Sequence, residues 1–228
     1  APADCGPYQF PNPDFQYWEN DDLPTSWYSF SDIQCDITGI VNILNAACNA
    51  ATENHHNKLS GSNAQSGSGY SIDIYVKSVI GVKANGAIST GRTRVASTNA
   101  TEGVNYNYDP SGYRWTFNGR PDSISFYAKK ISGYSHGGNA YFKVFIHDGN
   151  TFYDKADGTL QGTSYGSMLY PFKPTSNWNR FVKKVTYTNT TAIPQLILAS
   201  FSTGETANVA NSQNDHLGLD KLRCIYDK

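Results

Sequence analysis

The stretch FNGRPDSISFYAKKI, residues 117–131, decides how the rest of the chain is read. It opens on the turn signal Asn118-Gly119 and the corner Arg120-Pro121-Asp122. It then alternates, with Ile124, Phe126 and Ala128 to one side and Ser125, Tyr127 and Lys129 to the other. A half-buried strand shows this period of two, because successive side chains leave opposite faces of a sheet. The apolar row predicts a core. The other row is too aromatic for an ordinary wet surface and too polar for a core.

Working outward, the same period recurs. YSIDIYV (70–76) sets Ile72 and Ile74 against Ser71, Asp73 and Tyr75, and AYFKVFIH (140–147) sets Phe142, Val144 and Ile146 against Tyr141, Lys143, Phe145 and His147. AISTGRTRVAS, YRWTF, RFVKKVTYT, QLILASF and HLGLDKLRCIY complete the series, each bounded by turn residues. Short strands with turn chemistry between them predict an all-β, antiparallel two-sheet sandwich. No linker or internal repeat divides the chain, so one domain over residues 1–228 is expected. Residues 1–34, rich in Pro, Asp and aromatics, read as a short entry strand and a long loop. Residues 36–51 fit a helix or a strand equally, and residues 54–69 read as a polar loop.

The totals narrow the function classes. The chain has 228 residues and a formal charge of −1, and its Lys and Arg are scattered along the sequence, which argues against a nucleic-acid partner. Only 16% of residues are charged while 14% are aromatic, a balance suited to meeting neutral polar ligands such as sugars. No apolar run of about 18 residues exists to cross a membrane as a helix. The sequence begins at Ala1 without Met, as a processed export product would, so a secreted, periplasmic or outer-membrane location is expected, with a lipid anchor upstream of Ala1 compatible with it.

The cysteines form no zinc-type cluster. Of the three possible pairings, Cys35–Cys48 with Cys5–Cys224 is expected, against the alternative that most of the thiols are free and buried.

Several segments together resemble a known family. FQYWEN, Pro24 with Trp27, GYSIDIYV, NGAISTGRTRV, FNGRPDSISFYAKKI, SNWNRFVKKVTYTN, ILASFSTGE and HLGLDKLRCIY follow the order of the carbohydrate-metabolism domain (PCMD) of exported Bacteroidetes proteins. The likeness spans essentially the whole chain and is most specific in the Gly-Arg-Pro strand and the closing strand. It implies a jelly-roll sandwich similar to carbohydrate-binding modules, exported, and acting in glycan use. The chain departs from the family at Gln16, where an acid is common, and at Asp220-Lys221, where two adjacent acids are common.

The candidate site residues follow from the chemistry of sugars, whose C–H faces stack on aromatic rings while planar polar groups read the hydroxyls. If residues 123–131 and 140–147 form neighbouring strands, Tyr127, Lys129, Tyr141, Lys143 and Phe145 share one concave face, to which Asp73 and Tyr75 add. Trp115 and Trp27 are further candidates. Trp178 and Trp18 are expected to pack, and Arg120 to fix its turn before any ligand role. No cofactor is required. A structural calcium near the first and last strands would draw on Glu19, Asp21, Asp22 and Asp220, against the plainer reading of solvated acids. A glycosidase needs two facing carboxylates, and Asp73 with a loop acid is the available pair. The expected function is therefore non-catalytic binding of a polysaccharide or oligosaccharide. A glycoside hydrolase is the alternative, and a cell-surface adhesive subunit the second alternative.

Overall fold

The computed structural model describes residues 8–19, 23–35, 55–79, 82–95, 104–107, 112–134, 138–155, 160–204 and 215–226. Two antiparallel sheets face each other. The back sheet has the order β11 (Asn179–Lys184), β7 (Ser123–Ser132), β13 (His216–Ile225), β2 (Tyr70–Tyr75), β1 (His56–Ser60). The front sheet runs β6 (Trp115–Thr116), β12 (Leu196–Ser202), β8 (Ala140–His147), β10 (Ser164–Phe172), ending on Thr186–Tyr187, with β3 (Ala87–Ser89) also paired to β12. The all-β, antiparallel two-sheet sandwich read from the alternation is the fold observed, in the jelly-roll form that the resemblance implied.

The apolar rows meet between the sheets. Ile72, Ile74, Ile124, Phe126, Leu217 and Leu219 of the back sheet pack against Phe142, Val144, Ile146, Ile197 and Phe201 of the front. At the centre the rings of Phe142 and Phe201 stack at 3.8 Å, and Phe126 meets both edge-on at 5.1 Å. Such pairs add specific geometry to the burial of large apolar area. The N-terminal aromatics close one end of this core: Phe15 and Trp27 lie 5.5 Å apart, and Trp27 lies 6.4 Å from Phe201.

A third sheet was not expected. β4 (Arg92–Val95), β5 (Val104–Asn107) and β9 (Phe152–Lys155) form its middle, with Leu160–Gln161 and Gln34–Cys35 at its edges. It covers part of the outer face of the front sheet. Phe152 reaches down to Phe145 and Leu198 in a separate apolar cluster, and Asn107 meets His147 at 2.9 Å.

Three expectations need correction. Strands β7 and β8 are not neighbours: one lies in the back sheet beside β11 and β13, the other in the front sheet between β12 and β10. The polar run at 54–69 contains the edge strand β1, which pairs with β2 from His56↔Ile74 to Ser60↔Tyr70. Cys224 is a buried free thiol, so it does not pair with Cys5; its surroundings are apolar, and burial drives its pKa far upward. The expected pair Cys35–Cys48 and the ambiguous segment 36–51 lie outside the described side chains.

Candidate functional site

The outer face of the back sheet gathers most of the singled-out residues. Because Ile72, Ile124 and Leu217 point inward, their alternates point outward, and strand pairing arranges these in rows. In one row Lys129 faces Gly218, Gly218 faces Asp73, and Asp73 faces Asn57. In the next, Tyr127 lies between Arg180 of β11 and Asp220 of β13. In the third, His216 lies between Ser132 and Tyr75.

The middle row is built around a carboxylate. Asp73 is only 3% exposed, and its Oδ2 lies 2.8 Å from His216 Nδ1 and accepts from Asn57 at 3.3 Å. Burial raises its pKa, and the His216 contact works against that rise. Its Oδ1 is buried without a hydrogen-bond partner. The His216 ring stacks on Tyr75 at 4.9 Å, which continues to His55 at 6.2 Å and Phe30 at 4.4 Å beyond. The dyad is thus clamped between a polar strand pair and a stack of rings.

Gly218 leaves room at the centre of this face for a large neighbouring side chain. A Cβ there would sit 2.9 Å from the Trp178 ring and 3.1 Å from Ile131, so the half-buried indole lies directly over the glycine. Glycine inside a strand commonly marks such a close approach. The Trp178 ring N–H is buried and unpaired. An unpaired donor and the unpaired Asp73 oxygen therefore occur on one face, and groups of this kind in a folded protein call for an explanation.

Asp220 sits deeper. It is 1% exposed; its Oδ2 accepts from the Ser71 hydroxyl at 2.6 Å and its Oδ1 from the Lys221 N–H at 2.7 Å. Burial pushes its pKa up to about 6 against these stabilising bonds. Lys221 takes a positive φ of 50° at the bulge that follows, and its ammonium lies 5.9 Å from the Tyr127 ring. Glu19 is on the short ladder Trp18–Glu19 with Leu23–Pro24, exposed. No group of three or more His, Cys, Asp or Glu side chains suited to a metal is found among the described residues, and Asp21 and Asp22 lie outside them.

The remaining candidates are placed elsewhere. Tyr141 and Lys143 project from the front sheet, on the opposite side of the molecule from Tyr127 and Lys129. Lys143 is committed to Asp154 of the third sheet at 3.2 Å, and Phe145 is buried beneath that sheet. The single aromatic face expected across β7 and β8 therefore does not form, because the two strands belong to opposing sheets. Trp27 is fully buried and donates its ring N–H to the Pro11 carbonyl at 2.8 Å, which removes it from any ligand surface. Trp115 is half-buried against the core and donates to Gln9 O at 3.2 Å. Arg120 clamps the carbonyls of Asn189, at 2.6 Å, and Ala192, and so fixes the Gly-Arg-Pro turn. A cleft of about 470 Å³ lies near Trp115 at the sandwich end, lined by Arg114, Thr116, Asn118, Gly149, Ile193 and Gln195 among others, with no aromatic ring.

Trp178 is the residue that sequence reasoning assigned to the core. Its signal was Gly218, a glycine in the middle of the closing strand HLGLDKLRC, which announces that something large lies close to the backbone there.

No family model matches the sequence, and no curated protein matches it. Solved structures do. A candidate glycoside hydrolase from Bacteroides vulgatus is similar at a TM-score of 0.52 and 13% identity, over 76% of this chain and 78% of its own. A candidate glycoside hydrolase from Bacteroides thetaiotaomicron is similar at 0.55 and 12% identity, over 93% of this chain and 66% of its own. A family 11 carbohydrate-binding module of a Clostridium thermocellum cellulase is more distant, at 0.36 and 12% identity, over 75% of this chain and 81% of its own. At these identities the first two report a shared fold.

Proposed function

We propose that the chain binds a glycan, without catalysing its cleavage, on the outer face of the back sheet, as part of an exported polysaccharide-utilisation protein. The observation that carries this reading is the Trp178 indole lying over Gly218, with Lys129, Tyr127 and the Asp73–His216 pair around it. An aromatic plate for the C–H face of a sugar, with fixed polar groups beside it for the hydroxyls, is the combination such recognition requires. The exported setting rests on the likeness of the segments to the PCMD proteins. Binding of this kind needs no cofactor.

Affinity electrophoresis against a panel of polysaccharides tests the reading. Retardation by at least one polysaccharide is expected, reduced tenfold or more by Trp178→Ala, since one stacked ring contributes on the order of 1–1.5 kcal/mol beyond its buried area. Retardation by none, or retardation indifferent to Trp178→Ala and Tyr127→Ala, counts against it.

Hydrolysis is the second reading, favoured by one observation. Asp73 and Asp220 are diagonal neighbours on paired strands, roughly 7–8 Å apart by sheet geometry, a separation used by glycosidases. Both solved neighbours with the higher similarity are candidate glycoside hydrolases. Against it, Asp220 has both oxygens occupied beneath the sheet surface, whereas an acid or nucleophile must touch the scissile bond. Turnover of activated glycosides that disappears in Asp220→Asn would favour hydrolysis; no turnover in the native protein supports binding alone.

A further inference from the structure

We infer that His216 acts as a general base in the hydrolysis of O-acyl esters carried by the glycan on this face. The inference rests on the glycan-binding reading above and adds a reaction to it, the removal of acyl groups with the glycan chain left intact. The imidazole is held from two sides. Its Nδ1 lies 2.8 Å from Asp73 Oδ2, and its ring stacks on Tyr75 at 4.9 Å with 17° between the planes. An ionised carboxylate only accepts, so this contact keeps the imidazole proton on Nδ1 and leaves a lone pair on Nε2. Nε2 has no hydrogen-bond partner among the described residues, and it is not enclosed as the ring nitrogens of His55 are. The His216 side chain is 28% exposed and that of Asp73 only 4%, so the pair reaches the surface through the imidazole.

The surroundings of Asp73 favour a proton arriving on His216. Burial disfavours the charged carboxylate, its Oδ1 is buried without a partner, and the His216 and Asn57 contacts are what offset its charge. An imidazolium beside that carboxylate supplies the counter-charge it lacks, an interaction stronger in the transition state than in the resting protein. In the reaction, Nε2 takes a proton from water as the water oxygen bonds to the acyl carbon. The tetrahedral intermediate then breaks its bond to the sugar oxygen, which receives the proton back from the imidazolium. The products are a carboxylic acid and a free sugar hydroxyl, and water is the sole co-reactant. Asp73 does not touch the substrate; it is a positioning residue acting through His216. The stacking plate is close by. His216 and Gly218 are two residues apart on one face of β13, roughly 7 Å by strand geometry, and the Trp178 indole covers Gly218. An acyl group on a sugar stacked at the indole reaches across that gap.

The test gives the intact protein p-nitrophenyl acetate, acetylated xylan and acetylated glucomannan, with release of nitrophenol, acetate and reducing ends followed separately. The native protein is expected to hydrolyse p-nitrophenyl acetate and to release acetate from at least one polysaccharide, with no new reducing ends. In His216→Gln and in Asp73→Asn, kcat should fall about a hundredfold with KM retained, and the solvent deuterium isotope effect of the native reaction should disappear. Circular dichroism and retardation by polysaccharide show that the variants are folded, and the native protein alone tests the reaction should either variant fail to fold. No ester turnover by a native protein that polysaccharides still retard overturns the inference and leaves the glycan-binding reading standing. Turnover equal in His216→Gln overturns it as well, since another group is then the base. Turnover of p-nitrophenyl acetate without acetate from either polysaccharide overturns the glycan ester as substrate. Neither turnover nor retardation overturns both the inference and the reading beneath it.

Discussion

Strands β7 and β8 carry nearly the same pattern, and their outward rows meet opposite fates. Tyr127 and Lys129 on β7 remain half-exposed at a surface, beside Trp178 and the Asp73–His216 pair. Phe145 and His147 on β8 are buried under the third sheet, and Lys143 is tied to Asp154. Alternation tells which side chains share a face. It does not tell what covers the second face, because the covering strands β4, β5 and β9 are short and the first two lie far off in sequence. Among the described residues, the back face keeps Tyr127 and Lys129 at its surface, while on the front face Lys143 is tied to Asp154 and Phe145 and His147 are buried.

The largest expected effect separates those two rows directly. Phe145→Ala should destabilise by about 3–5 kcal/mol, since it empties a packed cluster with Phe152 and Leu198. Tyr127→Ala, at the matching outward position of β7, should cost less than about 1 kcal/mol, as surface substitutions do. Denaturant unfolding of the two variants checks this. Equal costs would mean the back face is as deeply packed as the front.

Two buried groups, His147 under the front face and Asp220 in the back one, should also respond to acid in opposite ways. Burial lowers the His147 pKa from 6.5 to about 4, so the unfolded chain takes up a proton that the fold refuses. Stability from His147 is complete above about pH 6.5 and is lost as the pH falls towards 4, by at most about 3 kcal/mol. His55, with both ring nitrogens unpaired and its pKa also lowered to about 4, acts in the same direction. Asp220 runs the other way: its pKa is raised from 3.8 to about 6, so its contribution is present at low pH and lost as the pH rises through 6. In Asp220→Asn, the stability profile between pH 4 and 6 should slope more steeply downward towards acid than in the native protein. In His147→Gln it should slope less. Profiles unchanged in both variants would remove burial as the cause.

A smaller effect tests the centre of the back face. Gly218→Val places methyl groups where the Trp178 ring lies and should displace the indole, costing about 1–3 kcal/mol. Near-ultraviolet circular dichroism and tryptophan emission should change with it. The same substitution should weaken glycan binding as much as Trp178→Ala does. An unaltered tryptophan signal would mean the indole does not rest there.

Much of the fold was legible because its long strands alternate cleanly. Residues 124–129, 140–147, 197–201 and 217–219 all bury the members that the period assigns to the core. Strand β1 was not legible, since His56-Asn57-Lys58-Leu59-Ser60 has no apolar row and is an edge strand held mainly by its pairing with β2. For the candidate site, the sequence named separate residues and not how they assemble. Asp73, Tyr75, Tyr127, Lys129 and Asp220 share one face, while Tyr141 and Lys143 lie on the other, because the crossover after Ser132 carries the chain from the back sheet to the front. Sequence order suggested that β7 and β8 were hairpin partners. Tyr134, just after β7, is instead buried, its hydroxyl donating to Thr203 O at 3.0 Å.

The account turns on which outer surface meets the ligand, and amide chemical-shift mapping during titration with a soluble oligosaccharide that the protein retains decides it. Perturbations are predicted at Tyr127, Lys129, Trp178, His216 and Gly218, with the Trp178 indole N–H moving most. A response centred on Tyr141 and Lys143, or on the cleft between Arg114 and Gln195, with the Trp178 signal unmoved, would contradict it.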